Sequence, residues 1–411
     1  MSNREFDIIV WGATGFTGQL VVEYLAETYG VDGELRWAIA GRNRNKLESV
    51  RQSCLADGQR GQLPILIADS NDPDSLATLV QKARVICTTV GPYAKYGTTL
   101  VEACVEAGTH YCDLTGEMQW MARVIPKYQK AAEASGARIV HTCGFDSVPF
   151  DMGNWYLQQV MLERHGVYAQ QVKARVGRNR GAASGGTIAS VLNMMEEAQN
   201  DPSVRREVAN PYALYPTGTP AGRDGPDQAG AKFDADFNQW TSPFIMAAIN
   251  TRVVRRSNAL LGFPWGESFR YDEATLNTSR YQATRNSIAG GIGMVALALG
   301  PTRKLAQRFL PKPGEGPTRD QREAGYYEVF FRGINPQDRQ KDTLVSVSGD
   351  LDPGYGSTAR MLGEAAACLA KDELTVGGGF WTPASALGAK YLDRLTSSAG
   401  LTFKVVDSVT P

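Results

Sequence analysis

The chemistry legible in this chain starts with three glycines in the run Gly12-Ala13-Thr14-Gly15-Phe16-Thr17-Gly18. Glycines at this spacing leave a turn without side chains and its backbone N–H groups bare. Where such a turn opens a helix, the helix dipole adds roughly half a positive charge, which suits a pyrophosphate. Gly12 permits the tight turn, Gly15 lets the backbone approach the phosphates, and Gly18 lets helix and strand pack closely. The next decisive residues are Gly41 and Arg42. An enzyme selecting NAD places a carboxylate there for the ribose 2′-hydroxyl. This chain places a guanidinium, which grips a 2′-phosphate through paired, charge-assisted hydrogen bonds. NADP(H) is the cofactor expected. Arg44 and Lys46, close behind, read equally well as solvated charges opening a helix.

These residues need a scaffold, and the hydrophobic pattern supplies one. Phe6 to Trp11 is a continuous apolar run that reads as a buried parallel strand, and Leu20, Val21, Tyr24 and Leu25 follow at helical spacing. Further strands are expected at 35–42, 64–69, 85–90, 110–114 and 138–142, with helical segments between them. That alternation predicts a doubly wound parallel sheet. Ligands of such sheets bind outside the carboxyl ends of the strands. Asp69 is therefore expected near the adenine, and Thr89, Val90, Gly91 and Tyr93 beside the dinucleotide. Asp113 ends the fifth strand and joins the same set.

Beyond Phe150 the texture changes. Strand 171–176 leads to Ser184-Gly185-Gly186-Thr187 and a helix over 188–199. Residues 209–243 are crowded with Pro, Gly, Asp and Asn and show no period, as in a lid, a binding loop or a disordered stretch. Alternating strands resume at 325–331 and 343–348, followed by a helix to Ala370, a last helix and a short strand at 402–406. Between Ala274 and Gly314 there is no acidic residue. Arg280, Arg285, Arg303, Lys304, Arg308 and Lys312 flank the uncharged run 286–302. The segment 280–312 is too short and glycine-rich to span a bilayer, and reads either as a buried helix with a basic end or as a peripheral contact with an anionic membrane or acidic carrier protein.

Lys plus Arg and Asp plus Glu balance at 43 each, which gives no general attraction to nucleic acid. Six cysteines without a C-x-x-C spacing and three histidines offer little for a metal site. The chain opens on a strand instead of a basic-then-apolar leader, so the cytoplasm is the expected compartment, with contact at the inner membrane face where the basic segment calls for it.

Several motifs together resemble the saccharopine dehydrogenase-like oxidoreductases: Gly12 to Gly18, Ala40-Gly41-Arg42, Gly91-Pro92-Tyr93, Tyr111-Cys-Asp-Leu-Thr-Gly-Glu117 and Gly144-Phe-Asp-Ser-Val-Pro149. Ser184 to Thr187, Asn250-Thr-Arg-Val-Val-Arg-Arg256 and Gly379-Phe-Trp-Thr-Pro383 extend the likeness over nearly the whole chain. The branch resembled is that of the trans-acting enoyl reductases of mycobacterial lipid synthesis and their lipid-droplet-associated animal relatives. The resemblance implies an α/β fold in which 1–150 form a Rossmann NADP-binding domain. A second α/β domain, with a mixed or antiparallel sheet, takes 151–376, and 377–411 return to the first. It also implies NADP(H) and a lipid or acyl-thioester substrate, free or on a carrier protein, with a homodimer as the candidate assembly.

An enoyl reduction needs a hydride at the β-carbon, a proton at the α-carbon and a donor on the thioester carbonyl. Polar groups at the strand ends supply the candidates: Tyr93, Tyr96, Asp113, His141, Asp146 and Ser147. Tyr93 or Tyr96 is expected to donate the proton, and Asp146 to orient a donor or the nicotinamide. Ser184, Gly185 and Thr187 are expected at the substrate, through amides at a helix start. Arg252 and Arg256, with Arg255, are expected either at an acidic substrate or carrier or simply in solvent on a surface helix. Short-chain dehydrogenases share the glycine opening but need Tyr-x-x-x-Lys, and none of the 16 tyrosines has a lysine four residues on. A saccharopine-type imine reductase and a non-catalytic NADP-binding sensor at a membrane remain as the rival readings.

Overall fold

The computed structural model describes residues 4–59, 61–181, 185–298 and 316–408. Its strands in chain order are β1 (Phe6–Trp11), β2 (Trp37–Gly41), β3 (Ile65–Ile67), β4 (Ala83–Thr88), β5 (His110–Cys112), β6 (Arg138–Val140) and β7 (Gln171–Arg180). Then follow β8 (Lys232–Asp234), β9 (Gln239–Pro243), β10 (Arg270–Asn277), β11 (Tyr326–Ile334), β12 (Thr343–Gly349), β13 (Gly379–Trp381) and β14 (Leu401–Val405). The described residues form two seven-stranded sheets. The first, in the order β13-β6-β5-β4-β1-β2-β3, is parallel throughout. All six residues of β1 are buried, as a strand covered on both faces requires. Strand order reverses between β1 and β4, so the crevice for a ligand opens beyond their carboxyl ends.

The second sheet, β14-β12-β11-β7-β10-β9-β8, is mixed: β7 and β10 run parallel and the other pairs antiparallel. The helix Val148–His165 leaves β6 and lies on β11 and β12. Gly153 sets that approach, because a Cβ there would stand 2.5 Å from the Phe331 ring. The chain end divides: β13 extends the first sheet beside β6, whereas β14 closes the edge of the second beside β12. The helix Thr358–Lys371, placed by sequence with the second domain, packs instead on β1, β4 and β5 and on the helix Phe16–Tyr29. Its buried Glu364 accepts hydrogen bonds from the Tyr24 and Tyr29 hydroxyls, both at 2.6 Å, and from Arg394 at 3.1 Å.

Four strands escaped the sequence pattern. β8 and β9 lie inside the stretch 209–243, where three to five residues are too few to show a period. β13 is equally short. β10 reads Arg-Tyr-Asp-Glu-Ala-Thr-Leu-Asn, and its charges hide the alternation. Glu273 is buried there because Asn250 Nδ2 and the Tyr271 hydroxyl both donate to its carboxyl group.

The arginine triplet is corrected by the same region. The helix Ala247–Leu260 is not a solvated surface helix; Arg252, Arg255 and Arg256 are all buried. They donate to the carbonyls of Val208, Pro211 and Leu214 respectively, at every third residue of the preceding strap, and so zip it onto the helix. Arg252 also pairs with Asp227 and Arg255 with Asp224, while Arg256 donates to the Phe380 carbonyl on β13. Neither Arg252 nor Arg256 reaches the cleft described below. Residues 280–298 form an exposed helix instead of a buried one, and 299–315 lie outside the described residues.

Candidate active site

β1 runs directly into the glycine turn. Gly12 has φ +89°, and a Cβ on it would lie 2.6 Å from Val90 Cγ2. A Cβ on Gly18 would lie 2.2 Å from the Gly12 carbonyl oxygen. The first glycine is required by backbone sense and the third by space. Thr89, just past β4, donates its N–H to the Trp11 carbonyl at 3.0 Å and its hydroxyl to Gly12 O at 3.2 Å, which pins the turn. Gly15 is the N-cap of the helix Phe16–Tyr29 and no side chain caps it. The first amides of that helix are therefore left to a ligand.

These residues line a cleft of about 370 Å³ at the switch point of the sheet. Gly12, Thr14, Gly15, Phe16, Thr17, Gly18, Gly41, Arg42, Thr89, Val90, Gly91, Tyr93, Tyr96 and Asp146 all reach it. Ala13 is buried behind the turn. Asp69 and Asp113 do not reach it. The Asp69 carboxylate turns back to accept the N–H of Asn71 at 3.0 Å, and Ser70 and Asn71 take its place in the lining. The buried Asp113 serves the fold. Its carboxylate bonds Tyr111 Oη at 2.9 Å, His141 Nδ1 at 2.7 Å and the N–H groups of Thr115 and Thr142, both at 3.1 Å. Asp69 and Asp113, expected at the cofactor, lie outside this lining for one reason. Strand-end position brings each carboxylate near the cleft, but local N–H groups hold it away from the lining.

Arg42 is exposed at the end of β2 and forms no ion pair among the described residues. Asn43 caps the following helix by accepting the Lys46 N–H at 3.0 Å. Arg44 and Lys46 stay outside the lining. The bare amides, the glycine cradle and the unpaired guanidinium together fit a dinucleotide 2′-phosphate. Replacing the guanidinium should act on one cofactor only. Arg42→Ala is expected to weaken NADPH binding roughly tenfold or more and to leave NADH within about twofold, measured by calorimetry.

The far end of the cleft differs in character. Leu114, Met194, Met246 and Tyr96 form its wall together with Asp146. Asp146 sits in the tight loop between β6 and the helix Val148–His165, closed by the Ser147 N–H to Thr142 O at 3.1 Å and the Val148 N–H to Gly144 O at 2.9 Å. Its Oδ1 is buried and has no hydrogen-bond partner among the described residues. Burial pushes its carboxyl up to about 7. Tyr93 is placed otherwise than expected. Its ring stacks on Trp120 at 5.6 Å, while its hydroxyl donates to the Thr88 carbonyl at 3.3 Å and accepts the Leu114 N–H at 3.5 Å. Burial and the nearby Asp113 carboxylate hold that phenol well above its ordinary range. Tyr93 is a wall of the cleft with its proton committed to the strand end. Tyr96 stands exposed at the rim.

Several contributors had no sequence signal, Tyr355 among them. Ser190 and Met194 come from the helix Gly185–Asn200, and Met246 from the turn before the helix Ala247–Leu260. The buried Glu117 anchors the first of these across the cleft. Its carboxylate accepts from the N–H groups of Tyr93 (2.7 Å) and Ala94 (2.9 Å) and from Ser190 Oγ (2.7 Å). Arg123 adds a second tie to Glu197 at 2.8 Å. Of the expected substrate residues, Ser184 lies outside the described residues; Gly185 and Thr187 begin this helix.

A glycine turn at a switch point, bare helix amides and an arginine at the end of β2 define an NADP-dependent oxidoreductase of the Rossmann class. Residues 8–140 match the family model of the saccharopine dehydrogenase NADP-binding domain. A Mycobacterium tuberculosis protein named as a candidate trans-acting enoyl reductase is 40% identical over 411 residues, covering 96% of each chain. The trans-acting enoyl reductase of Mycobacterium ulcerans is 37% identical over 417 residues, again 96% of each. The chain belongs to the saccharopine dehydrogenase-like family, in its trans-acting enoyl reductase branch. Saccharopine dehydrogenase (L-Glu forming) of Saccharomyces cerevisiae shares the fold, with a TM-score of 0.52 and 13% identity over 98% of this chain and 100% of that one.

Proposed function

We propose that the protein uses NADPH to reduce a C=C, or a C=O, of a lipid or acyl-thioester substrate, with Asp146 as the proton donor. The observation that carries this reading is the make-up of the cleft. Among its described lining residues Arg42 is the sole cation, and it stands at the cofactor end. A saccharopine-type substrate carries several carboxylates and would need cations where this cleft offers Leu114, Met194 and Met246. An acyl chain suits that wall.

NADPH, when bound, supplies the hydride. The chain supplies the rest. The glycine turn and Arg42 hold the dinucleotide, the apolar wall excludes water from the reacting carbons, and Tyr96 is the candidate donor to the carbonyl oxygen. The protonated Asp146 carboxyl gives its proton to the α-carbon as the β-carbon takes the hydride. Asp146 is left as a carboxylate and regains a proton from solvent. Oxidation of NADPH followed by absorbance tests this directly. Turnover is expected with long-chain enoyl thioesters and not with glutamate paired to an aldehyde or a 2-oxo acid. Turnover confined to the amino-acid pairs would overturn the reading.

A further inference from the structure

The helix Arg280–Ala298 inverts the usual pattern of a surface helix. Its first two turns pack inward, with Ala283 fully buried and the helix touching β9, β10 and the helix Gly185–Asn200, whereas every residue from Ile288 to Val295 is exposed. Its outer side should be polar. Instead Tyr281, Ile288, Ile292 and Val295 are 77%, 57%, 65% and 60% exposed. At about 100° per residue these four fall within about 60° of one another, opposite Ala283, as one stripe roughly 21 Å long. Solvated aliphatic side chains in a contiguous row mark a surface that is covered in use.

The charge around the stripe selects what covers it. The helix carries Arg280 and Arg285 and no acidic residue, although the chain as a whole is balanced. Arg280 lies 5.5 Å over the Trp240 ring on β9, at the start of the stripe. A second copy of the chain would bring like charges together. The four side chains also leave on the order of 400 Å² of apolar surface, short of the ~800 Å² per partner that a stable dimer buries. An aliphatic row with arginines at its edge and an aromatic at one end fits the headgroup–acyl boundary of a bilayer, which needs no matching shape. We infer that this helix seats the protein on an anionic membrane surface, with Tyr281, Ile288, Ile292 and Val295 entering the boundary and Arg285 meeting lipid phosphates. The same helix packs on the one that carries Ser190 and Met194, so seating would bring the substrate end of the cleft close to the lipid. The inference holds whichever bond the enzyme reduces.

Flotation of the full chain with phosphatidylcholine vesicles, with and without phosphatidylglycerol, tests it. Binding is expected only with the anionic lipid, and it should weaken several-fold as salt is raised. The double variant Ile288→Asp with Ile292→Asp should lose roughly tenfold or more in vesicle partition. Its NADPH affinity and circular dichroism should match wild type, since both side chains point to solvent. Absence of wild-type binding to anionic vesicles, or binding that the double variant leaves unchanged, would overturn the assignment. So would a concentration-dependent mass in sedimentation that the variant abolishes, which would make the stripe an interface between copies. Protection of the stripe by an acidic carrier protein but not by vesicles would also sink it.

Discussion

Asp146→Asn is expected to lower kcat about a hundredfold to ten-thousandfold while NADPH affinity stays within about twofold. Asparagine keeps the shape of the loop between β6 and the following helix but has no proton to release. The pH dependence carries the sign of the role. A donor must be protonated, and burial holds the Asp146 carboxyl at about 7. The wild-type rate should therefore fall as pH rises through about 7, and that limb should vanish in the variant. Tyr93→Phe is the contrast. Its hydroxyl bonds the Thr88 carbonyl, so kcat should change only about twofold with the pH limb retained.

The same physics reaches stability. Asp151, buried one turn into the helix Val148–His165, accepts from Ser257 Oγ at 2.5 Å and from the Ala384 N–H at 2.8 Å, yet desolvation raises it to about 7. A carboxyl raised on folding binds its proton more tightly in the native state. Its contribution is complete below the unfolded value of 3.8 and is lost as pH rises through about 7. Thermal melts should show stability falling across that window, and Asp151→Asn should flatten the slope.

Arg255→Met is expected to cost about 3–5 kcal/mol in denaturant unfolding, the range for stripping one partner from a buried ion pair. Arg255 donates Nε to Asp224 at 2.8 Å, Nη1 to the Pro211 carbonyl at 3.1 Å and Nη2 to the Tyr271 carbonyl at 2.8 Å. Methionine fills the volume but leaves both carbonyls unanswered and strips the Asp224 carboxylate of its buried cation, with the Tyr271 N–H at 2.9 Å still donating to it. Because the strap it holds ends near β8, limited proteolysis should cut first within 209–230 in the variant. A surface arginine, which the sequence alone allowed, would give less than about 0.5 kcal/mol and no new cleavage.

The two arginine predictions mark where sequence reasoning stops. Arg42 was legible because its role depends on local position, at the end of an apolar strand and after a glycine-opened helix. β1 to β6 of the first sheet were legible for the same reason, as apolar runs between helical segments, whereas the three residues of β13 were not. Arg255 was not, because its partners Asp224 and Pro211 come from a stretch without periodicity, and no spacing within a helix predicts a carboxylate brought from another segment. Asp113 and Asp146 are both carboxylates that follow strands of one sheet. Which of them meets the cleft was decided by N–H groups of the loops around Asp113 and by their absence around Asp146 Oδ1. Ser190 and Met194 belong to the helix Gly185–Asn200, far along the chain from the glycine turn, and only the fold brings it to the same cleft. The sequence by itself determined the cofactor, since a glycine turn, a strand and one arginine are neighbours along the chain. The tertiary structure decided which carboxyl group meets the cleft and built the apolar end beside it, because desolvation and packing belong to the space around a residue and not to its neighbours in sequence.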